Sequence, residues 1–249
     1  MSRDGLAVLG TGTGVGKTVV TAGLVGWLRD RGHAAVGIKP AQTGFPPDDD
    51  ATVIENAVGE AAASVCLRRL EPALAPAVAA REEGVELSYA ELRRGCEREL
   101  AAADPGIVEG IGGLRVPLAD GREVVDLVAD LGIPALVVAR SGLGTLNHSA
   151  LTVEALERRG VEVEALVLND YAGATLAERT NPEALSDMID PPVHTLPSVD
   201  IGDSAEGVGV EEPADGVGIE DPSAAVDLVR NNLSPSLLFG AQERPIDGG

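Results

Sequence analysis

Hydrophobic and polar positions alternate in blocks along the chain. Short apolar runs that end in glycine or a polar residue indicate buried strands, whereas longer stretches of mixed character indicate helices. The predicted strands cover residues 5–9, 34–38, 107–109, 134–139, 163–168 and 193–196. The predicted helices cover residues 18–31, a stretch from about residue 51, and residues 88–103, 122–130, 145–159, 182–189 and 224–233. This alternation predicts an α/β fold, with a mostly parallel sheet and helices on both faces.

Polar side chains stand at the predicted carboxyl ends of these strands. Lys17 follows the first strand, Lys39 ends the second, Glu109 is expected to end the third, and Asn169 closes a later one. Ligands of open parallel sheets bind at that edge. The pattern therefore predicts one site that draws residues from several strands.

The chain changes character near residue 200. Residues 1–200 carry the alternating pattern and are predicted to form one domain, whereas residues 201–249 are rich in Gly, Asp and Glu. Such a composition is typical of a partly flexible acidic segment, here with one possible helix over 224–233.

The loop between the first strand and the first helix reads G-T-G-T-G-V-G-K-T over residues 10–18. Small residues let backbone N–H groups converge on phosphate oxygens, and the following helix adds partial positive charge. Lys17 would reach the terminal phosphates, and the Thr18 hydroxyl would bind Mg²⁺. Thr11 stands where the usual motif has its first glycine. The strand–loop–helix context nevertheless predicts a three-layer fold of the P-loop NTPase type.

A second lysine motif, K-P-A-Q-T-G, covers residues 39–44. Lys39 at the end of a buried strand is interpreted as a second anion-binding group. Glu109 and the aspartate run 48–50 are candidate Mg²⁺ ligands, because Mg²⁺ prefers carboxylate, phosphate and water oxygens. The pattern does not choose among the three aspartates, and for any single one of them a solvated loop residue is the favoured interpretation in so acidic a chain.

Charge narrows the choice of partners. The chain has 249 residues, 40 of them acidic and 19 basic, and a formal net charge of −21. Such a polyanion argues against binding to nucleic acid or to an anionic membrane. No apolar run reaches the roughly 18–20 residues of a membrane span, and the first strand leaves no room for a signal peptide. A cytoplasmic protein is expected.

Lysine is scarce, because only Lys17 and Lys39 among the basic residues are lysine. Scarce lysine beside abundant carboxylates is typical of proteins from a saline cytoplasm, and stability measured against KCl would test that origin. A GC-rich genome would also favour arginine, but it does not explain the twofold excess of acid. Both lysines fall in candidate phosphate sites, so a functional role is favoured over an incidental one.

Taken together, these motifs resemble the dethiobiotin synthetases, the ATP-dependent enzymes of biotin synthesis. The phosphate loop is similar to the family's G-T-D-T-x-V-G-K-T. Lys39 to Gly44 is similar to K-P-x-x-[ST]-G, and Val108 to Leu118 to V-E-G-A-G-G-x-x-x-P-L. Gly144 to Thr152 is similar to G-x-x-N-H-x-x-L-T, and Val167 to Asp170 to V-x-N-D.

The resemblance implies a cyclo-ligase reaction. CO₂ adds to one amine of 7,8-diaminononanoate, ATP phosphorylates the carbamate, and the second amine closes a ureido ring and expels phosphate. It implies Lys17 and Lys39 as catalytic residues, and Thr18, Asp50 and Glu109 as Mg²⁺ ligands. The implied nucleotide contacts are Gly14, Val15, Gly16, Lys17, Thr18, Val19, Glu109, Gly110, Ile111, Gly112, Asn169, Asp170, Pro197, Ser198 and Val199. The implied substrate contacts are Thr43, Gly144, Thr145 and Asn147, the last three from the second subunit of a homodimer.

Two departures from the family pattern affect these expectations. Gly12 replaces an aspartate in the phosphate loop. Ile111 replaces a small alanine in the predicted turn after Glu109, and its larger side chain is expected to crowd that turn. Two other functions share the same ATPase core: an amide ligase of the cobyrinate diamide synthase type, and a chromosome-partition switch. The ligase would need a cysteine nucleophile, and the switch an additional lysine early in the phosphate loop. Residues 10–16 contain no lysine.

Overall fold

The computed structural model describes residues 5–47, 49–198 and 223–233. Its strands are β1 (Gly5–Gly10), β2 (Val36–Lys39), β3 (Ser64–Cys66), β4 (Gly106–Gly113), β5 (Pro117–Ala119), β6 (Arg122–Glu123), β7 (Ala135–Arg140), β8 (Val163–Tyr171) and β9 (Val193–Pro197). Its helices are α1 (Lys17–Arg29), α2 (Asp50–Val58), α3 (Pro76–Glu83), α4 (Tyr89–Ala102), α5 (Val124–Leu131), α6 (Thr145–Glu157), α7 (Leu176–Met188) and α8 (Ala224–Asn232).

Seven strands form one parallel sheet in the order β3-β2-β4-β1-β7-β8-β9. Successive side chains of a strand point to opposite faces, and β1 shows both sides of the core. Leu6 and Val8 pack with α1, α2 and α8 on one face. Ala7 and Leu9 pack with α4, α5, α6 and α7 on the other. The predicted three-layer α/β fold of the P-loop NTPase type is thus confirmed.

Two strands run further than the pattern predicts. Glu109 was expected to end its strand, but β4 continues to Gly113, where it pairs again with Gly10 after a register shift. The glycines after Glu109 read as a turn in sequence because they carry no side chains to mark a strand. In the same way, Asn169 lies inside β8, which extends to Tyr171.

The least regular stretches hold the elements that sequence missed. Helix α3 lies within residues 70–87, for which no element was predicted, and the edge strand β3 was also missed. Helix α7 begins at Leu176, six residues before the predicted start at Pro182. Thr175 and Glu178 form a capping box there, and this signal outweighs the preference of proline for a first turn.

Helix α8 packs against α1, the helix that follows the phosphate loop. A Cβ atom at Gly23 of α1 would overlap the Val229 side chain, so glycine permits the close approach. The predicted acidic segment 201–222 lies outside the described residues, as does the chain after residue 233. Among the described residues, no helix is both long and apolar enough to cross a membrane.

Candidate active site

The phosphate loop lies between β1 and the start of α1. Gly16 has φ +92°, and a Cβ atom there would overlap the side chain of Asn169, so only glycine fits. Lys17 is buried and folds back over the loop, where its Nζ donates to the Gly12 carbonyl oxygen at 3.1 Å. A Cβ atom at Gly12 would meet nothing within 4 Å, so the aspartate of the family pattern would also have room for its Cβ at this position.

A cluster of buried charges lies beside the loop, because β4 is inserted between β1 and β2. Lys39 Nζ donates to Glu109 Oε1 at 2.8 Å and forms a second ion pair with Asp50. Thr18 Oγ1 donates to the same Glu109 oxygen at 2.9 Å. Lys39 is 4% exposed and Glu109 fully buried. We call Thr18, Lys39, Asp50 and Glu109 the charge cluster.

The ion pairs fix the charge of Lys39. Burial alone would lower its pKa, but the carboxylates of Glu109 and Asp50 outweigh burial and raise the pKa of Lys39 above its ordinary value. Burial also disfavours ionisation of Asp50, yet the Lys39 ammonium holds the pKa of Asp50 below its usual range. Burial raises the pKa of Glu109 against the attraction of Lys39. The cluster therefore keeps a fully charged ammonium in a dry environment.

The carboxylates of Asp49 and Asp50 contact different partners. Asp50, the first residue of α2, turns its carboxylate to Lys39, whereas the Asp49 carboxylate accepts from Arg69. Asp48 lies outside the described residues. Among the described residues, no group of three or more His, Cys, Asp or Glu side chains is arranged to hold a metal. Any cation site here would combine Glu109 and Asp50 with the Thr18 hydroxyl.

The remaining predicted nucleotide contacts lie at the ends of β8 and β9, and Asn169 touches the loop. Asn169 Nδ2 donates to the Val15 carbonyl oxygen at 3.2 Å, which ties β8 to the phosphate loop. Asp170 adopts φ +54°, an uncommon conformation for a residue with a side chain. Pro197 ends β9, where it pairs with Tyr171, and Ser198 follows. Val199 lies outside the described residues.

The last residues of β4 and the first residues of α1 hold the other predicted nucleotide contacts. Gly110 presents its carbonyl oxygen 3.4 Å from Lys39 Nζ. Ile111 was expected to crowd the turn, but its side chain is buried in the core. Gly112 has φ +57°, and Val19 is half-buried.

The predicted substrate contacts lie just beyond the end of β2 and at the start of α6. Thr43 is half-buried just beyond Lys39, and its carbonyl oxygen accepts from Gln42. Gly144 precedes α6 with φ +94°. The Thr145 hydroxyl turns inward to Ser149 at 3.2 Å, whereas Asn147 is exposed.

The comparisons with known proteins agree with this geometry. Residues 4–199 match the AAA domain family. The chain is 58% identical over 202 residues to the ATP-dependent dethiobiotin synthetase BioD of Haloferax mediterranei, covering 81% of this chain and 87% of that protein. It is 48% identical over 183 residues to the synthetase of the same name from Anaeromyxobacter dehalogenans, covering 72% and 78%.

The chain belongs to the ATP-dependent dethiobiotin synthetase family. The Haloferax relative also fits the saline-type composition of the sequence. Solved structures with the same fold include a ParA family ATPase from Chlorobium tepidum, with a TM-score of 0.57, 11% identity and coverage of 80% and 86%. Another is the cell division ATPase MinD of Pyrococcus furiosus, with a TM-score of 0.51, 20% identity and coverage of 81% and 85%. At these identities the likeness concerns the fold alone.

Two residues of this dethiobiotin synthetase family member lie near the site and were not singled out from the sequence. Arg140 ends β7 and donates to the Thr13 carbonyl oxygen of the phosphate loop at 3.3 Å. It is the first charge after an apolar strand, a signal that could have found it. Asn181 of α7 is buried and donates to the carbonyl oxygens of Ser141 and Gly142 at 2.7 and 3.0 Å. Nothing in the local sequence distinguishes Asn181 from an exposed helix residue.

Proposed function

We propose that this protein is an ATP- and Mg²⁺-dependent dethiobiotin synthetase of biotin biosynthesis. It joins CO₂ to 7,8-diaminononanoate and closes the ureido ring, with ATP converted to ADP and phosphate. The observation that carries the proposal is the buried ammonium of Lys39 beside a phosphate loop, in a chain of this family. We propose a cytoplasmic enzyme, because the cytoplasm supplies the ATP that the reaction consumes.

The phosphate loop and Lys17 bind the triphosphate. Backbone N–H groups of the loop and the start of α1 supply partial positive charge at no cost of reorganisation. The Lys17 ammonium exchanges its contact with the Gly12 carbonyl oxygen for the terminal phosphate oxygens. Phosphoryl transfer demands mainly this positioning and charge neutralisation from the protein.

Lys39 stabilises the carbamate. CO₂ adds to one amine with loss of a proton, and a carbamate oxygen then attacks the γ-phosphorus while ADP leaves. The second amine attacks the carbon of the resulting carbamic–phosphoric anhydride, phosphate departs, and the amine protons are released. The Lys39 ammonium is held charged by Glu109 and Asp50, so it stabilises negative charge on the carbamate and on the transferring phosphoryl group. Thr43 lies beside it on the substrate side.

The charge cluster suits Mg²⁺. Glu109 Oε2 is buried and has no hydrogen-bond partner among the described residues, so this oxygen is available to bind a cation. Thr18 and Asp50 add a hydroxyl and a second carboxylate, and an all-oxygen set of this kind is what Mg²⁺ prefers. Bound Mg²⁺ supplies positive charge to the phosphate oxygens. Thr18, Asp50 and Glu109 would hold it.

The adenine site is proposed at the ends of β8 and β9. Asn169 contacts the phosphate loop, Asp170 follows Asn169 in β8, and Pro197 ends the neighbouring strand β9 before Ser198. The Asn169 amide and the Asp170 carboxylate would hydrogen-bond the edge of the base.

A homodimer is proposed on the face of α6 and α7. Leu143, just before α6, is 97% exposed, and Leu151 and Leu176 on the adjoining helices are 56% and 70% exposed. Exposed leucines on neighbouring elements mark an interaction surface. A second subunit bound there would share the start of α6, with Gly144, Thr145 and Asn147, between the two sites. Light scattering should report a dimer for the parent and a monomer for Leu151→Glu.

The test of function is incubation with diaminononanoate, bicarbonate and MgATP in molar KCl. Dethiobiotin and ADP should appear in equal amounts. ATP hydrolysis without dethiobiotin would overturn the proposal.

A variant assigns the role of Lys39. Lys39→Ala should lower ring closure at least about 100-fold, because a charge at the reacting group is lost, while nucleotide binding is largely retained. Arg93→Ala, which breaks the exposed Arg93–Glu97 pair, is the control. An equal loss of ATP affinity in Lys39→Ala would contradict this role.

A further inference from the structure

Two segments of the chain run side by side next to the charge cluster. The segment after β3 lies against the segment after β2 through backbone hydrogen bonds. Leu70 N donates to the Gln42 carbonyl oxygen at 2.9 Å, and Phe45 N donates to the Leu70 carbonyl oxygen at 3.1 Å. Residues 42–45, where the loop that leads to α2 begins, are thus anchored along one edge. The residue at the centre of that edge is Arg69.

The Arg69 side chain reaches across to the other end of the loop. Its Nη2 donates to both carboxylate oxygens of Asp49 at 3.2 and 3.3 Å. Its guanidinium also lies over the Phe45 ring, 5.2 Å from the centroid. One side chain therefore connects the beginning of the loop, at Phe45, with its end at Asp49.

Asp49 is committed to this contact. It occupies the N-cap position of α2, yet its side chain makes no capping hydrogen bond to the helix. Its carboxylate instead accepts from Arg69 and from Thr52 Oγ1, the latter at 3.0 Å. The next residue, Asp50, forms the ion pair with Lys39. The peptide between these two aspartates is consequently fixed from both sides.

We infer that Arg69 is a positioning residue that clamps Asp49 and Phe45 and so aims Asp50 into the charge cluster. The inference rests on the proposed function, in which Asp50 is a metal ligand. Groups that orient a metal ligand without touching the metal affect metal affinity by about 10- to 100-fold. The Arg69 and Asp49 side chains are 37% and 17% exposed, and a pair this exposed contributes little to overall stability. Its effect should therefore appear in metal binding rather than in folding.

The experiment compares Arg69→Ala and Asp50→Asn with the parent enzyme. Mn²⁺ binding in the presence of a non-hydrolysable ATP analogue is followed by electron paramagnetic resonance, and the Mg²⁺ dependence of turnover is measured separately. Arg69→Ala should weaken Mn²⁺ binding about 10-fold and raise the Mg²⁺ concentration for half-maximal rate by a similar factor. The kcat at saturating Mg²⁺ should remain near that of the parent. Arg93→Ala, which removes the arginine of a more exposed ion pair away from the site, is the control.

The double variant Arg69→Asp/Asp49→Arg separates clamping from a local packing defect. With the charges exchanged, it should recover most of the Mn²⁺ affinity that Arg69→Asp loses. If Asp50→Asn weakens Mn²⁺ binding and Arg69→Ala does not, the clamp is wrong and the proposed function stands. If Asp50→Asn itself leaves Mn²⁺ binding unchanged, both the metal assignment of Asp50 and the clamp are overturned.

Discussion

On the β2–β4 side of the phosphate loop, the buried charged side chains bond mainly to one another, whereas on the β7–β8 side the two asparagines bond to backbone carbonyl oxygens. The first side holds Lys39, Glu109 and Asp50 in buried ion pairs. On the second side, Asn181 donates to two carbonyl oxygens and Asn169 to the Val15 carbonyl oxygen. One side concentrates charge, and the other fixes the path of the chain.

The two sides differ in how much stability is lost when one partner of an interaction is removed. A buried charge that loses its partner is left uncompensated, which destabilises strongly. A carbonyl oxygen that loses an amide donor forfeits one hydrogen bond and is partly desolvated, which costs less. The charged side is therefore specialised for chemistry at some risk to stability, whereas the neutral side gives shape at lower risk.

Lys39→Met should produce the largest effect. It leaves Glu109 and Asp50 buried without their cation, and the free energy of unfolding near neutral pH should fall by about 3–5 kcal/mol. Urea denaturation followed by circular dichroism, without added Mg²⁺, measures it. Arg158→Met, at the exposed Arg158–Glu154 pair of α6, should stay within about 1 kcal/mol of the parent. If the two variants were equally stable, the buried charges of the β2–β4 side would be no more costly to leave unpaired than exposed ones, which would contradict the comparison.

Asn181→Leu probes the neutral side. It removes the donor for the Ser141 and Gly142 carbonyl oxygens, and unfolding should become easier by about 1–3 kcal/mol. The same denaturation assay applies. Thr180→Ala, a neighbouring exposed position, should change stability by no more than about 0.5 kcal/mol. A loss above that of Lys39→Met would reverse the proposed order.

Alkaline pH should distinguish the two sides. The pKa of Lys39 is raised in the folded protein, so its stabilising contribution is complete below the unfolded pKa of about 10.4 and is lost as pH rises further. The stability difference between parent and Lys39→Met should therefore shrink above about pH 10.4. The difference between parent and Asn181→Leu should stay constant, because no titrating group is involved. Parallel curves for both variants would contradict the assignment.

Ser141→Ala should have the smallest effect. Ser141 Oγ donates to the Asp170 carbonyl oxygen at 3.0 Å, and losing this bond should cost about 1 kcal/mol. Combined with Asn181→Leu, the loss should be non-additive by at least about 0.5 kcal/mol, because both residues hold the same loop. Combined with Lys39→Met, the two losses should add. Double-variant cycles on unfolding provide both values.

Sequence predicted the charged side better than the neutral one. Lys39 and Glu109 stand out because a charge beside an apolar strand has no ordinary reason to be buried. The resemblance implied Asp50, but the residues alone did not choose among the three aspartates. The structure adds that Asp50 pairs with Lys39 whereas Asp49 pairs with Arg69. Asn181 could not be found, because its partners are backbone oxygens about 40 residues away that carry no local signature. The alternation of elements predicted the layers, but not that β4 separates β1 from β2.

That strand order has a consequence for the synthesis of the chain. β4 follows β1 and β2 in sequence, yet it lies between them in the sheet. A chain made from its N-terminus cannot pair its first two strands with each other, and Lys39 meets Glu109 only 70 residues later. Until then Lys39 lacks its partner Glu109. The centre proposed to handle the carbamate is therefore assembled only after residues 106–113 have been translated, and the first 100 residues alone cannot complete it.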